Sequence, residues 1–164
     1  MLLREAKRLN YPIRLIRLAI ITYRLPRVIR VGQAYSDLMW AMRGIVAGSG
    51  LATTEMRIVM IDIVDAALIV HPSIVPTLFV DDLSAEHEGD EEHGDHDWIV
   101  CQLGGFTEAV IQRIHDNGME VSQTKSVVSA SNGKLAAALM ARLDKYGIKY
   151  NLKVKSLGSG WLRE

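Results

Sequence analysis

The chain has 164 residues, 49% of them hydrophobic, which suits one domain with a real core and excludes disorder along its whole length. Nineteen Lys and Arg balance nineteen Asp and Glu, so net charge alone points to neither nucleic acid nor membrane. The balance is uneven: residues 1–58 carry +7, residues 59–120 −13 and residues 121–164 +6, and such local fields act on a polyanion or a cation.

Leu2, Leu3, Ala6 and Leu9 recur at helical spacing until Asn10-Tyr11-Pro12 interrupts them. The helical pattern resumes over residues 13–23, with Arg14, Arg17 and Arg24 spaced for one basic side. Residues 27–31 turn β-branched, Gly32-Gln33 offers a turn and residues 38–42 are apolar again, which predicts a β-hairpin. Residues 44–50 are small and flexible, and glycine there lets the backbone approach another group closely.

A helix over about residues 51–70 follows, apolar nearly all round, with Glu55, Asp62 and Asp65 on one narrow polar stripe. His71-Pro72 stops it. Thr77-Leu78-Phe79-Val80 then runs into Asp81-Asp82, and since successive strand side chains point to opposite faces, two adjacent carboxylates converge only if the backbone turns there. A hairpin over residues 76–86 is the expectation. Residues 86–97 are acidic, His-rich and without aliphatic residues, the composition of a solvated loop.

Ile99, Leu103, Phe106, Val110 and Ile114 mark an amphipathic helix that stops at Asn117-Gly118. A short strand centres on Val127-Val128. Ser131 or Asn132 caps a last helix with Leu135, Leu139 and Leu143 on one side and Gly147 past its end, and residues 148–157 alternate once more. No repeat is visible, and the pattern reads as one α+β unit.

The single cysteine, Cys101, excludes an internal disulfide framework, and its place beside the apolar helix face suits a small buried hydrophobe. Trp40 and Trp98 read as core or sheet-edge residues. The longest apolar run, residues 58–70, is 13 residues and carries two aspartates, short of the ~20 that a membrane span needs. The first 30 residues lack a signal-peptide pattern, so the expectation is a soluble intracellular chain, nuclear or cytoplasmic, without a membrane partner. His87, His93 and His96 suit Zn²⁺ or Ni²⁺ chemically, but at no defined ligand spacing.

Like charges make a close carboxylate pair costly to ionise and a bound divalent cation removes that cost, so Asp81 and Asp82 suit Mg²⁺. The order of segments around them resembles reverse transcriptases. Arg43-Gly44-Ile45-Val46-Ala47-Gly48-Ser49 is similar to their Arg-Gly-x-Pro-Gln-Gly-Ser loop, with Val46 and Ala47 in place of Pro and Gln. Phe79-Val80-Asp81-Asp82 resembles their aromatic-x-Asp-Asp hairpin. The segment from Gly118 to Ser126 resembles Gly-Leu-x-x-Asn-x-x-Lys-Thr, and Lys155-Ser156-Leu157-Gly158 stands where a Leu-Gly strand begins the primer grip. Residues 6–12 and 27–32 resemble the connector of non-LTR retrotransposon enzymes.

The resemblance implies an N-terminally truncated, partial right-hand polymerase palm with a small antiparallel sheet packed on helices. Its parts are a connector (1–43), the glycine-rich loop and helix (44–71), the Asp-Asp hairpin (76–86), the acidic loop (86–97) and the C-terminal palm (98–164). It implies RNA-directed DNA polymerisation, in which a primer 3′-hydroxyl attacks the α-phosphorus of a deoxynucleoside triphosphate with Mg²⁺ or Mn²⁺ stabilising entering and leaving oxygens. Asp81 and Asp82 would hold metal, Lys125 would offset charge on the leaving pyrophosphate, and Gly44, Ala47, Gly48 and Phe79 would shape the nucleotide pocket. RNA template and DNA primer are the implied partners, with Arg14, Arg17, Arg24, Arg27, Arg30, Lys149, Lys153 and Lys155 available to their phosphates.

Such sites take a further aspartate from a preceding strand, and nothing in residues 1–43 supplies it. Asp62 imitates that segment, but it follows the glycine-rich loop and shares the helix stripe. Inactivity of residues 1–164 alone is therefore expected, with association to the missing palm and fingers parts or self-association. The alternative is a non-catalytic remnant that binds nucleic acid or protein.

Overall fold

The computed structural model describes residues 1–41, 44, 45, 49–89 and 96–151. Expectations resting on Arg43, Val46, Ala47, Gly48, His93, Lys153, Lys155 and the Leu157-Gly158 strand lie outside these residues. The chain divides into two compact units, 1–61 and 62–164, with the boundary inside one long helix.

In the first unit, α1 (Leu2–Arg8) and α2 (Ile13–Tyr23) pack against each other. Asn10 makes the turn at φ 54°, in the left-handed region asparagine tolerates, while Tyr11 N donates to Ala6 O and Asn10 N to Lys7 O. Ala6 and Ile16 meet Ile58 of α3 (Ala52–Val70) in a small core. Glu5 is buried in the middle of α1, where Arg4 and Arg8 each donate to it at 2.7 Å. The hydrogen bonds from Arg4 and then Arg8 hold its carboxyl below the usual range.

The expected hairpin is β1 (Arg30–Val31) and β2 (Ala34–Tyr35), turning at Gly32-Gln33. Arg30 pairs with Tyr35, but farther down Arg27 pairs with Met39. The pairing sum moves from 65 to 66, so one extra residue bulges out of the second strand. Every residue from 24 to 41 is exposed, including Trp40, which is not a core residue.

The second unit holds the end of α3, the hairpin β3 (Val75–Phe79) and β4 (Asp82–Glu86), the helices α4 (His96–Asp116) and α5 (Gly133–Leu143), a 3₁₀ turn (Asp144–Tyr146), and the short strands β5 (Val127–Val128) and β6 (Lys149–Tyr150). Ile99 packs with Leu135 and Leu139, and Ile111 with Leu143 and Ile148, so the α4–α5 seam supplies the core. Each fully buried side chain of this size contributes about 1.5–3 kcal/mol. Gly118, at φ 71°, ends α4 with Met119 N donating to Ile114 O and Gly118 N to His115 O. Asn132 caps α5 by accepting from Leu135 N at 2.9 Å.

The α+β class holds, with two corrections. The described strands form three separate pairs rather than one sheet, and β5 pairs with β6 in parallel, because α5 lies between them as a crossover. Cys101 is exposed rather than buried, since α4 buries Ile99, Gln102, Phe106 and Val110 and residue 101 lies on the opposite side of that turn. The solvated segment is also shorter than 86–97. Glu86 ends β4, and α4 starts at His96.

A glycine pair interrupts the buried face of α4. Both glycines are seats for other side chains: a Cβ on Gly104 would lie 2.6 Å from Arg142 Cδ, and one on Gly105 2.7 Å from His71 Nε2. Through that gap Arg142 donates from Nη1 to the carbonyls of Val100 (3.2 Å) and Cys101 (3.5 Å), and from Nε and Nη2 to Glu108 at 3.0 and 2.5 Å.

Candidate active-site hairpin

The paired acids sit where the backbone turns. β3 and β4 are antiparallel in the register Phe79↔Asp82, Leu78↔Leu83, Thr77↔Ser84, Pro76↔Ala85 and Val75↔Glu86. Val80 and Asp81 are therefore the two turn residues, and Asp82 is the first residue of β4. Both carboxylates are exposed and take part in no ion pair among the described residues. Residues opposite one another share a face, so Phe79 and Asp82 stand side by side on the outward face. Leu78 and Leu83 lie on the inner face, half-buried.

Val80 adopts φ 60°. A β-branched residue is a true outlier there, and two-residue hairpin turns normally put Gly, Asn or Asp at positive φ. The tip thus combines adjacent carboxylates with a strained backbone.

Other predicted positions are less tightly placed. Gly44 is described at φ 92° with nothing near its absent Cβ, whereas Ala47 and Gly48 lie outside the described residues. Lys125 is exposed in the turn after α4, its amide donating to Ser122 O, and makes no ion pair with Asp81 or Asp82. Asp62 belongs to α3, as its periodicity predicts. Trp98 is 39% exposed, with most of its surface covered. Among the described residues no group of three His, Cys, Asp or Glu side chains could hold a metal. The oxygen donors Asp81 and Asp82 suit a hard cation such as Mg²⁺ but form only a partial ligand set. His96 instead meets Asn132: because Asn132 Oδ1 is committed to Leu135 N, its Nδ2 faces His96 Nε2 at 3.1 Å, which must accept.

Sequence reasoning missed one cluster. Glu55, placed on a polar stripe by periodicity, is fully buried. Its Oε2 accepts a short hydrogen bond from Tyr23 Oη, which also meets Ser49 Oγ at 3.1 Å, while Oε1 has no partner. Burial, then the bond to Glu55, pushes the Tyr23 hydroxyl up. The cluster ties α2 to the start of α3, next to Gly44 to Gly50 in sequence. A lone charged residue in a first turn otherwise made of Ala52, Thr53 and Thr54 was the available signal, but no sequence spacing links residue 55 to residue 23. His87 also has both ring nitrogens buried without partners.

Comparison of the chain with protein-family models, with curated proteins and with solved structures finds no match. No helix among the described residues is long and apolar enough to cross a membrane.

Proposed function

We propose that residues 1–164 correspond to part of a reverse-transcriptase palm, with Asp81 and Asp82 as the metal-holding pair of an RNA-directed DNA polymerase site. The observation that carries this reading is the hairpin tip, where two exposed carboxylates directly follow the strained Val80; backbone strain concentrates at functional sites. Bound there, Mg²⁺ would supply charge neutralisation for phosphoryl transfer. Two carboxylates on one exposed turn hold such an ion mostly through water, so residues 1–164 alone bind it weakly and do not extend primers.

The decisive measurement is Mn²⁺-induced line broadening in NMR spectra. Broadening centred on residues 79–83 and lost in Asp81→Asn/Asp82→Asn supports the reading. Uniform or absent broadening overturns it. Robust primer extension on an RNA template by residues 1–164 would overturn the claim of inactivity.

A second reading, a non-catalytic nucleic-acid binder, is favoured by the β1–β2 hairpin. Arg30 stacks on the Tyr35 ring at 5.5 Å, and Arg27 and Trp40 are exposed on the same short ribbon, a combination of phosphate and base contacts. Filter binding across a salt series tests it: a steep loss of affinity with salt, unchanged by Asp81→Asn/Asp82→Asn, supports the binder.

A further inference from the structure

Two exposed faces, one in each unit, have complementary chemistry. On α2, Ile16 and Ala19 point into the core, which leaves Leu18 (59% exposed) and Ile21 (60%), followed by Leu25 (54%) just past the helix end, as an outward apolar ridge. Arg17 and Arg24 flank that ridge on one side, seven residues apart, and are exposed. No acidic residue occurs between Glu5 and Asp37. On the β3–β4 hairpin, the register puts Val75 (60% exposed), Thr77 and Phe79 (62%) in one outward row beside Glu86, Ser84 and Asp82 in the next. One face is an apolar ridge edged by arginines; the other is an apolar row edged by carboxylates.

Dimensions agree as well as charge. Seven helical residues span about 10.5 Å, and four strand residues about 13.6 Å, so the Arg17–Arg24 and Asp82–Glu86 separations are commensurate. The same division appears in the sums: residues 1–61 carry ten basic and three acidic side chains (+7), and residues 62–164 nine and sixteen (−7). An aliphatic ridge has no use on a nucleic acid, and an acidic partner is already encoded in this sequence.

We propose that the α2 ridge of one molecule docks on the outward face of the β3–β4 hairpin of a second copy. The contact is heterologous: the molecule that lends its ridge keeps its hairpin face, its partner keeps its ridge, and further copies add head to tail on those faces. It covers Phe79 and Asp82, and it is independent of whether that hairpin holds metal.

Sedimentation velocity over a concentration series tests the contact by complementation. Wild type self-associates, about tenfold more weakly in 0.5 M than in 0.05 M salt as the charge pairs are screened. Leu18→Glu/Ile21→Glu removes the ridge and Val75→Lys/Phe79→Lys removes the hairpin face, and each variant alone is monomeric. Mixed in equal amounts they form a one-to-one dimer, because one intact face of each kind remains. A mixture that stays monomeric, with native circular dichroism for both variants, overturns the proposal, as does a wild type that is monomeric throughout. Should either variant lose its helical signal, the charge pair Arg17→Glu/Arg24→Glu and Asp82→Lys/Glu86→Lys replaces it. Each is then monomeric and their mixture associates; failure of that mixture to associate is equally decisive.

Discussion

Replacing Gly104 by alanine sets two terms of opposite sign against each other. In the interior of a 21-residue helix, alanine is favoured over glycine by about 1 kcal/mol. At residue 104, however, the new methyl would stand 2.6 Å from Arg142 Cδ and 2.9 Å from Nε, well inside the ~3.5–4 Å of carbon contact. Arg142 must withdraw. It then gives up Glu108, in an ion pair whose members are 32% and 23% exposed, and the carbonyls of Val100 and Cys101. The partly buried pair contributes about 1–2 kcal/mol and the two longer carbonyl bonds together about 1 kcal/mol. Against the propensity gain, Gly104→Ala costs about 1–2 kcal/mol net. In an Arg142→Ala background neither the close approach nor the clamp exists, only the propensity remains, and the same substitution stabilises by about 0.5–1 kcal/mol. Urea unfolding of wild type, the two single variants and the double variant reads this inversion of sign. Stabilisation by Gly104→Ala in both backgrounds would refute the account of Arg142 as a clamp seated on glycine.

Three further expectations come from the same structure. The hydrogen bond from Arg142, opposed by burial and aided by Lys145, holds the Glu108 carboxyl below its ordinary value; the resulting stability is complete above the ordinary carboxylate range and is lost as pH falls through the lowered pKa. Denaturation midpoints from pH 7 to pH 3 should therefore show wild type losing its advantage over Glu108→Gln on acidification. Tyr23→Phe strands the buried Glu55 carboxylate and costs about 2–3 kcal/mol, whereas Tyr23→Phe/Glu55→Leu recovers most of that loss; thermal unfolding of the two variants measures the difference. Val80→Gly relieves the left-handed strain, worth about 1–2 kcal/mol, at a glycine entropy cost of about 0.5–1 kcal/mol, so the urea midpoint rises slightly; a fall would mean that Val80 is held at positive φ by contacts rather than strained.

Local signals made most elements legible. The spacing of Leu135, Leu139 and Leu143, the Asn132 cap and Gly147 mark α5 almost to the residue, and Asn117-Gly118 marks the end of α4 because a left-handed residue closes that helix at little cost. The Asp81-Asp82 turn was legible for a similar reason, since adjacent carboxylates cannot share a strand face. Partnership was not legible. The parallel pairing of β5 with β6 depends on how α5 returns the chain, and the burial of Glu55 depends on a tyrosine 32 residues earlier. For Trp40 the core reading fails and the sheet-edge reading fits: it follows Met39, which pairs with Arg27, and is exposed.

Three of the described places that break a local rule divide by whether contacts compensate. The glycines of α4 weaken that helix, yet each receives a side chain that no larger residue would admit, so the structural gain accounts for them. Glu55 is half compensated, with one oxygen bonded and the other bare. Val80 is half-buried at positive φ, and its neighbours Asp81 and Asp82 are exposed and make no ion pair among the described residues. Backbone strain of this kind concentrates at functional sites. What this turn presents is a pair of carboxylates beside Phe79, and that is why the hairpin tip, rather than the buried Glu55 cluster, carries the functional proposal.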